Sequence, residues 1–351
     1  MGKILIKNGK VWDGETFSYK DILTEDEKIT KIESCIDEEA EYTYDAKGKI
    51  VSAGLVDVHA HFLGSYGINA EMSCIPFGVT AAADASALAD SKEQYNNFLV
   101  KNMVFVNVGL KNNKAELDGT IKMLQYYGDK AVGIKVFFDT CISELNDISP
   151  LKEACDFAKS TNLIVMVHTS NPPVDMSEIV SVLNKGDIIT HAYHGGKNNA
   201  SEDNFECYKK AKEKGIFIDA GFAGHVHTDF KVFENAVKSG ELPDIISTDI
   251  TKYSAYKRGG RYGMTMCMSI ARHLGMSEED IFRAVTSAPA KALGKEKEWG
   301  YLGIGKSADI SVFDYTDEGF DLTDNAGNHI ESEKGYRCLL TIANGEIVYR
   351  N

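Results

Sequence analysis

The segment Gly54–Phe62, GLVDVHAHF, sets the reading of this chain. A short apolar run, Leu55–Val58, is broken only by Asp57 and ends in His59-Ala60-His61. On a strand, residues i and i+2 face the same side, so both imidazoles can address one point. Alone, such a pair is a weak signal. Working outward, similar runs recur at Val79–Asp84, Val104–Gly109, Val132–Phe138, Leu163–His168, Asp187–His191, Gly215–Ala220 and Ile245–Asp249. Their starts, counted from Leu55, lie 24 to 31 residues apart, the room one βα unit needs. Runs such as LIVMV are apolar at nearly every position, as parallel strands covered on both faces require. Between them, Ser177–Asn184 and Asn204–Lys214 carry apolar residues at helical intervals. Eight such units predict an α/β fold of the (β/α)8 TIM-barrel type. A doubly wound open sheet is the competing arrangement.

The two ends differ from this middle. ILIKNGKVW and KITKIE precede it; ADISVF and LLTIANGEIVYR follow, with strand propensity and Gly or Asn-Gly turns. They have no crossover helices between them. The expected organisation is a small β-sandwich domain built from residues 1–52 and 300–351, bracketing a barrel over 53–299.

Composition narrows the function classes. The 351 residues are 43% apolar and 26% charged, an ordinary globular profile with enough chain to bury a large core. A formal net charge of −14 repels polyanions, so neither nucleic acid nor an anionic membrane is an expected partner. The seven cysteines are dispersed, without a CxxC pair, and read as reduced thiols of a cytoplasmic protein. The N-terminus lacks the apolar stretch of a secretory signal, and no run reaches membrane-spanning length. A small molecule is the expected partner, and a homo-oligomer is compatible with all of this.

Barrel active sites form where the strands end at their C-terminal side. The first run ends in His59 and His61, the fifth in His168, the sixth in His191 and the eighth in Asp249. Four of nine histidines and a carboxylate therefore converge on one mouth, and these are ligand types for Zn²⁺ and related ions. Lys135 lies within the apolar fourth run, VGIKVFF. Its ammonium either snorkels outward between helices or enters the mouth neutral, paired or modified. Sequence physics leaves both open.

These residues together resemble the amidohydrolase superfamily. The resemblance is carried by GLVDVHAHF, GIKVF, VMVHTS, ITHAYHG and ISTDI, and by the later SAPAKALG and LGIGKSADISVFD, and covers essentially the whole chain. Within it, the sequence is similar to dihydroorotase-like metallohydrolases, especially a deacetylase branch related to D-aminoacylases. The resemblance implies two divalent ions, usually zinc. His59, His61 and Asp249 would hold one, His168 and His191 the other, and N6-carboxylated Lys135 would bridge them. It further implies a bridging hydroxide as nucleophile and Asp249 as general base and acid. The implied reaction is hydrolysis of an amide or ester in a small acylated substrate such as an N-acyl-D-amino acid.

Weaker candidates surround this set. GFAGHVHTDF offers His225 for a hydrogen bond to substrate, with His227 expected on a solvated loop. Arg258 and Arg261 follow Asp249, and either could hold a substrate carboxylate by two parallel hydrogen bonds. Asp57 shares the face of His59 and could orient it, or equally make a structural hydrogen bond. His194 could serve as a supporting partner or lie exposed; His273 and His329 carry no site expectation. There is no GxSxG, and Gly259-Gly260 is a loop pair rather than a phosphate cradle. Cyclic amidohydrolase (dihydroorotase- or hydantoinase-like) activity, a mononuclear nucleobase deaminase and a metal-free non-enzymatic homologue remain as alternatives. The deaminases generally lack the fourth-strand lysine and carry a Glu near the fifth-strand histidine, and no Glu follows VMVHTS until Glu178.

Overall fold

The computed structural model describes residues 2–257 and 261–351, with His225 and Lys257 described by backbone only. Seven parallel strands run in chain order around the barrel: Leu55–Ala60, Val79–Asp84, Lys101–Lys111, Ala131–Phe137, Ile164–His168, Ile188–Thr190 and Phe217–Ile218. The eighth position is filled by residues 245–250 through two parallel bridges, Asp219 to Ile245 and Ala60 to Ile250. The Asp249 N–H donates to the His59 carbonyl at 2.7 Å and the His61 N–H to that of Ile250 at 3.1 Å, closing the barrel. This segment is not a regular strand, because part of its bonding goes to side chains. Asp57 accepts from the Thr248 N–H at 3.2 Å and from its hydroxyl at 2.6 Å.

Both faces of the sheet are dry, which explains the unbroken apolar runs. Val104, Val106, Ile134, Val136, Val165, Val167 and Ile189 join one buried cluster with helix residues such as Leu151 and Ile179. Residues of the opposite parity, including Val56, Ala81, Phe105, Met166, Ile188 and Ile245, form a second cluster closed by Trp299. Ile134 and Val136 thus point toward the helices, and Lys135 between them points into the barrel, in register with Met166. The expected helices appear as Met176–Val182 and Glu206–Glu213.

Strands from both ends of the chain share one sheet. Ile50–Ala53 lies between Lys3–Trp12 and Ile310–Thr316, and Gly335–Ala343 and Glu346–Arg350 continue the order. The sheet curls until Lys28–Glu33 meets residues 305–307, with the Ile29 N–H on the Lys306 carbonyl at 3.0 Å. Ile6, Val11, Ile22, Val51, Ile310 and Leu340 fill the space inside. All seven cysteines are free. Among the described residues no helix is long and apolar enough to cross a membrane.

Candidate metal centre

Barrel closure brings His59, His61, Lys135, His168, His191 and Asp249 to one buried mouth. Asp249 Oδ1 lies 2.8 Å from His61 Nε2 and 3.3 Å from His59 Nε2, and Oδ2 lies 3.8 Å from His191 Nε2. Lys135 Nζ is 3.2 Å from His59 Nε2. The His168 and His191 ring centroids are 4.4 Å apart. His191 and Asp249 both adopt left-handed backbone, with φ of 61° and 45°. That conformation, uncommon outside glycine, turns each side chain inward just where its strand ends.

Hydrogen bonds behind the rings decide what the rings offer in front. The Thr190 hydroxyl donates to Asp219 Oδ2 at 2.7 Å and so accepts from His59 Nδ1 at 2.9 Å. The His191 Nδ1–H donates to the Gly221 carbonyl at 2.7 Å. Both rings therefore carry their proton outward and present the Nε2 lone pair to the centre. His168 Nε2 is taken by Asp139 at 3.0 Å. His61 Nδ1 sits 3.1 Å from the Ser86 hydroxyl, which also meets the Tyr66 hydroxyl at 2.9 Å. Asp57 accepts the His59 N–H at 3.2 Å, so it fixes that residue's backbone and ties it to Thr248 rather than holding the ring.

Electrostatics agree with a ligand set. Burial, reinforced by Lys135, holds the His59 imidazole well below its usual range. Burial and the neighbouring His227 and His168 do the same to His191. His168 is lowered too, burial outweighing its bond to Asp139. Burial opposes the charge of Asp249, but His59 and His61 outweigh it and hold the carboxyl below the ordinary carboxylate range. The Lys135 amine is pushed down to about 7 by burial, against Asp249 and Asp219. Neutral imidazoles, an ionised carboxylate and an easily deprotonated amine in a dry pocket are what divalent cations require. The donor set fits a metal centre.

Among the described residues, two triads have ligand atoms mutually within 4.8 Å: His59, His191 and Asp249, and His168, His191 and His227. His191 thus stands between two positions instead of belonging to one. His227 departs from the solvated-loop expectation. Its ring packs 4.3 Å from His191 and 5.0 Å from His168, and Ser170 holds its Nδ1 at 2.7 Å. Its place two residues after His225 was the available signal, but only the turn after Ala223–His225 shows that His227 enters the cluster. Asp139 was also missed, because it lies two residues beyond the fourth strand. The His225 side chain and Arg258 lie outside the described residues. Arg261 is exposed and lines a groove with Phe77, Thr265 and Tyr336, none of them in the histidine cluster, so the structure does not bring it to the site. It leads into the helix Met264–His273, which packs against the strand Gly335–Ala343. His194, by contrast, is buried close by.

Comparisons with known proteins give the family. The model of the amidohydrolase family matches residues 50–348. A deacetylase of Agrobacterium fabrum is 29% identical over 342 residues, covering 90% of this chain and 83% of its own. A dihydroorotase crystal structure superposes with a TM-score of 0.87 at 25% identity, covering 100% of this chain and 98% of the other. An adenine deaminase structure gives 0.85 at 27% identity, covering 99% of both chains. The chain belongs to the amidohydrolase family and is a hydrolase acting on C–N bonds.

Proposed function

We propose that the protein is a binuclear metal-dependent hydrolase that cleaves the amide or ester bond of a small acylated substrate, N-acyl-D-amino acids and their derivatives being the first compounds to try. The observation that carries this reading is Lys135, wholly buried on the inner face of the fourth strand beside His59. The mononuclear deaminases of the superfamily generally lack that lysine. A neutral amine can add CO₂ and lose a proton, giving an anionic carbamate suited to lie between two cations. His59, His61 and Asp249 would hold one ion, His168 and His191 the other, with His227 beside the second. When bound, the ions, which we take to be zinc, supply Lewis acidity toward the scissile carbonyl and acidify water. Asp249 stays ionised at neutral pH, so it is placed to take a proton from attacking water and return it to the leaving amine or alkoxide. Thr190 and Gly221 keep His59 and His191 in the tautomer that faces inward. Deacetylase and dihydroorotase relatives support amide chemistry. The dihydroorotase likeness keeps cyclic amides as the second class to assay. Seven free, dispersed cysteines support a cytoplasmic location.

The deciding experiment assays N-acyl-amino acids, α-acyloxy acids and cyclic imides with Zn²⁺ and bicarbonate present, beside metal analysis. Turnover of one class that is lost on chelation supports the proposal. Full activity in metal-free protein, or in Lys135→Ala, refutes it.

A further inference from the structure

Next to the histidine cluster lies a cavity of about 320 Å³, with Ser170, His194, His227, Thr228 and Asp229 in its wall. His227 separates it from the metal centre, bonded to Ser170 on one side and packed on His191 on the other. Two polar atoms of these lining residues are buried without a hydrogen-bond partner: His194 Nε2 and Thr228 Oγ1, each on a residue only 2% exposed. Orphaned buried groups are rare in native folds and point to a missing ligand or water. The Gly196 N–H donates to His194 Nδ1 at 3.2 Å, which places the ring proton on Nε2. The Nε2–H is therefore a donor. The Thr228 hydroxyl can donate as well.

The charge in the wall decides which acceptor fits. Among the described residues no Lys or Arg lines the cavity, whereas Asp229 does. Asp229 Oδ1 caps the helix Phe230–Lys238 by accepting from the Lys231 and Val232 N–H groups at 2.9 and 3.1 Å, which fixes the carboxylate in place. A free carboxylate entering here would meet that charge without a cation among the described lining residues to offset it. A carbonyl oxygen would meet two donors and no repulsion.

We propose that this cavity is a specificity subsite that takes an uncharged carbonyl of the substrate, as in a carboxamide or ester, on His194 Nε2 and Thr228 Oγ1, and discriminates against a free carboxylate. This rests on the hydrolase reading and narrows its substrate class, from free N-acyl-amino acids to their amides and esters.

The test compares N-acetyl-D-alaninamide with N-acetyl-D-alanine on the full chain loaded with zinc and bicarbonate. The carboxamide should be preferred by about tenfold or more in kcat/KM, since one unpaired buried charge or lost hydrogen bond is worth that much. His194→Phe and Thr228→Val should each lower that preference by roughly three- to tenfold, with the change carried by KM. Asp229→Asn keeps an acceptor for the helix cap and should raise kcat/KM for the acid. A wild-type preference for the acid, or variants that affect both compounds equally, overturns the subsite. Binding of both compounds to the metal-free protein, followed by ligand-observed NMR, separates the two proposals. Carboxamide binding that Thr228→Val abolishes, without turnover of either compound in loaded protein, refutes the hydrolase reading and leaves the subsite standing. Absence of carboxamide binding refutes the subsite.

Discussion

Replacing Lys135 with methionine should stabilise the metal-free protein, although the same change should abolish its activity. Methionine has a similar length, is flexible and brings no polar atom into the barrel. The amine it removes titrates at about 7 in the folded chain, against an ordinary 10.5. Between these values the unfolded chain binds a proton that the folded chain lacks. Lysine therefore costs stability, fully below about pH 7, and the cost fades as pH rises toward 10.5. At ~1.4 kcal/mol per pH unit, the gap amounts to at most ~5 kcal/mol at low pH and ~4 kcal/mol near pH 7.5. Denaturant unfolding of chelator-stripped wild type and Lys135→Met across pH 7.5 to 10.5 measures it directly. The variant's advantage should shrink steadily with pH, because groups common to both proteins cancel. Zinc and bicarbonate should then reverse the order, since only wild type gains the full binding free energy of the ions. A stability difference that stays constant with pH, or a variant weaker than wild type throughout, would refute the buried neutral amine.

Four other outcomes follow from the same geometry. Wild type loaded with zinc and bicarbonate should hold about two ions per chain by plasma mass spectrometry, as two-metal sites do, and Lys135→Ala should lose one of them. Asp249→Asn should lower kcat by ~10²- to 10⁴-fold with an unchanged circular dichroism spectrum; near-normal turnover would remove its role in proton transfer. Gly221 has φ of 52°, and a Cβ there would stand 2.5 Å from Thr190 Oγ1 and 2.7 Å from His191 Nδ1. Gly221→Ala should therefore cost ~1–3 kcal/mol in denaturant unfolding and weaken zinc binding by displacing His191. Away from the site, burial pushes Asp187 up from 3.8 to about 6. Between those values the folded chain holds the extra proton, so this group's contribution to stability grows as pH falls from 7 toward 4. Thermal melts of Asp187→Asn should show less gain on acidification than wild type.

The fold was legible where one physical rule dominated. A strand buried on both faces must be apolar throughout, and the barrel strands were visible in the sequence for that reason. The eighth was visible as ISTDI but not as an irregular segment, because its bonding to Asp57 is a contact between residues 57 and 248. The histidines were legible because a strand end is a local feature. His227 was not, since its position depends on how the turn after the seventh strand folds back over His168 and His191. Arg261 shows the reverse failure: a guanidinium close to Asp249 in sequence that ends in another groove.

Alternating burial, turn residues and strand-end ligands are properties of short segments, and from them the sequence alone determined a barrel, a flanking β domain and a set of metal-ligand types. Direction and protonation are different in kind. Whether Lys135 faces the helices or the barrel, which nitrogen of His59 and His191 keeps its proton, and how the eighth segment is tied to Asp57 depend on partners 30 to 191 residues away. Only closure of the barrel brings those partners within hydrogen-bonding range, and only dry surroundings make their charges count.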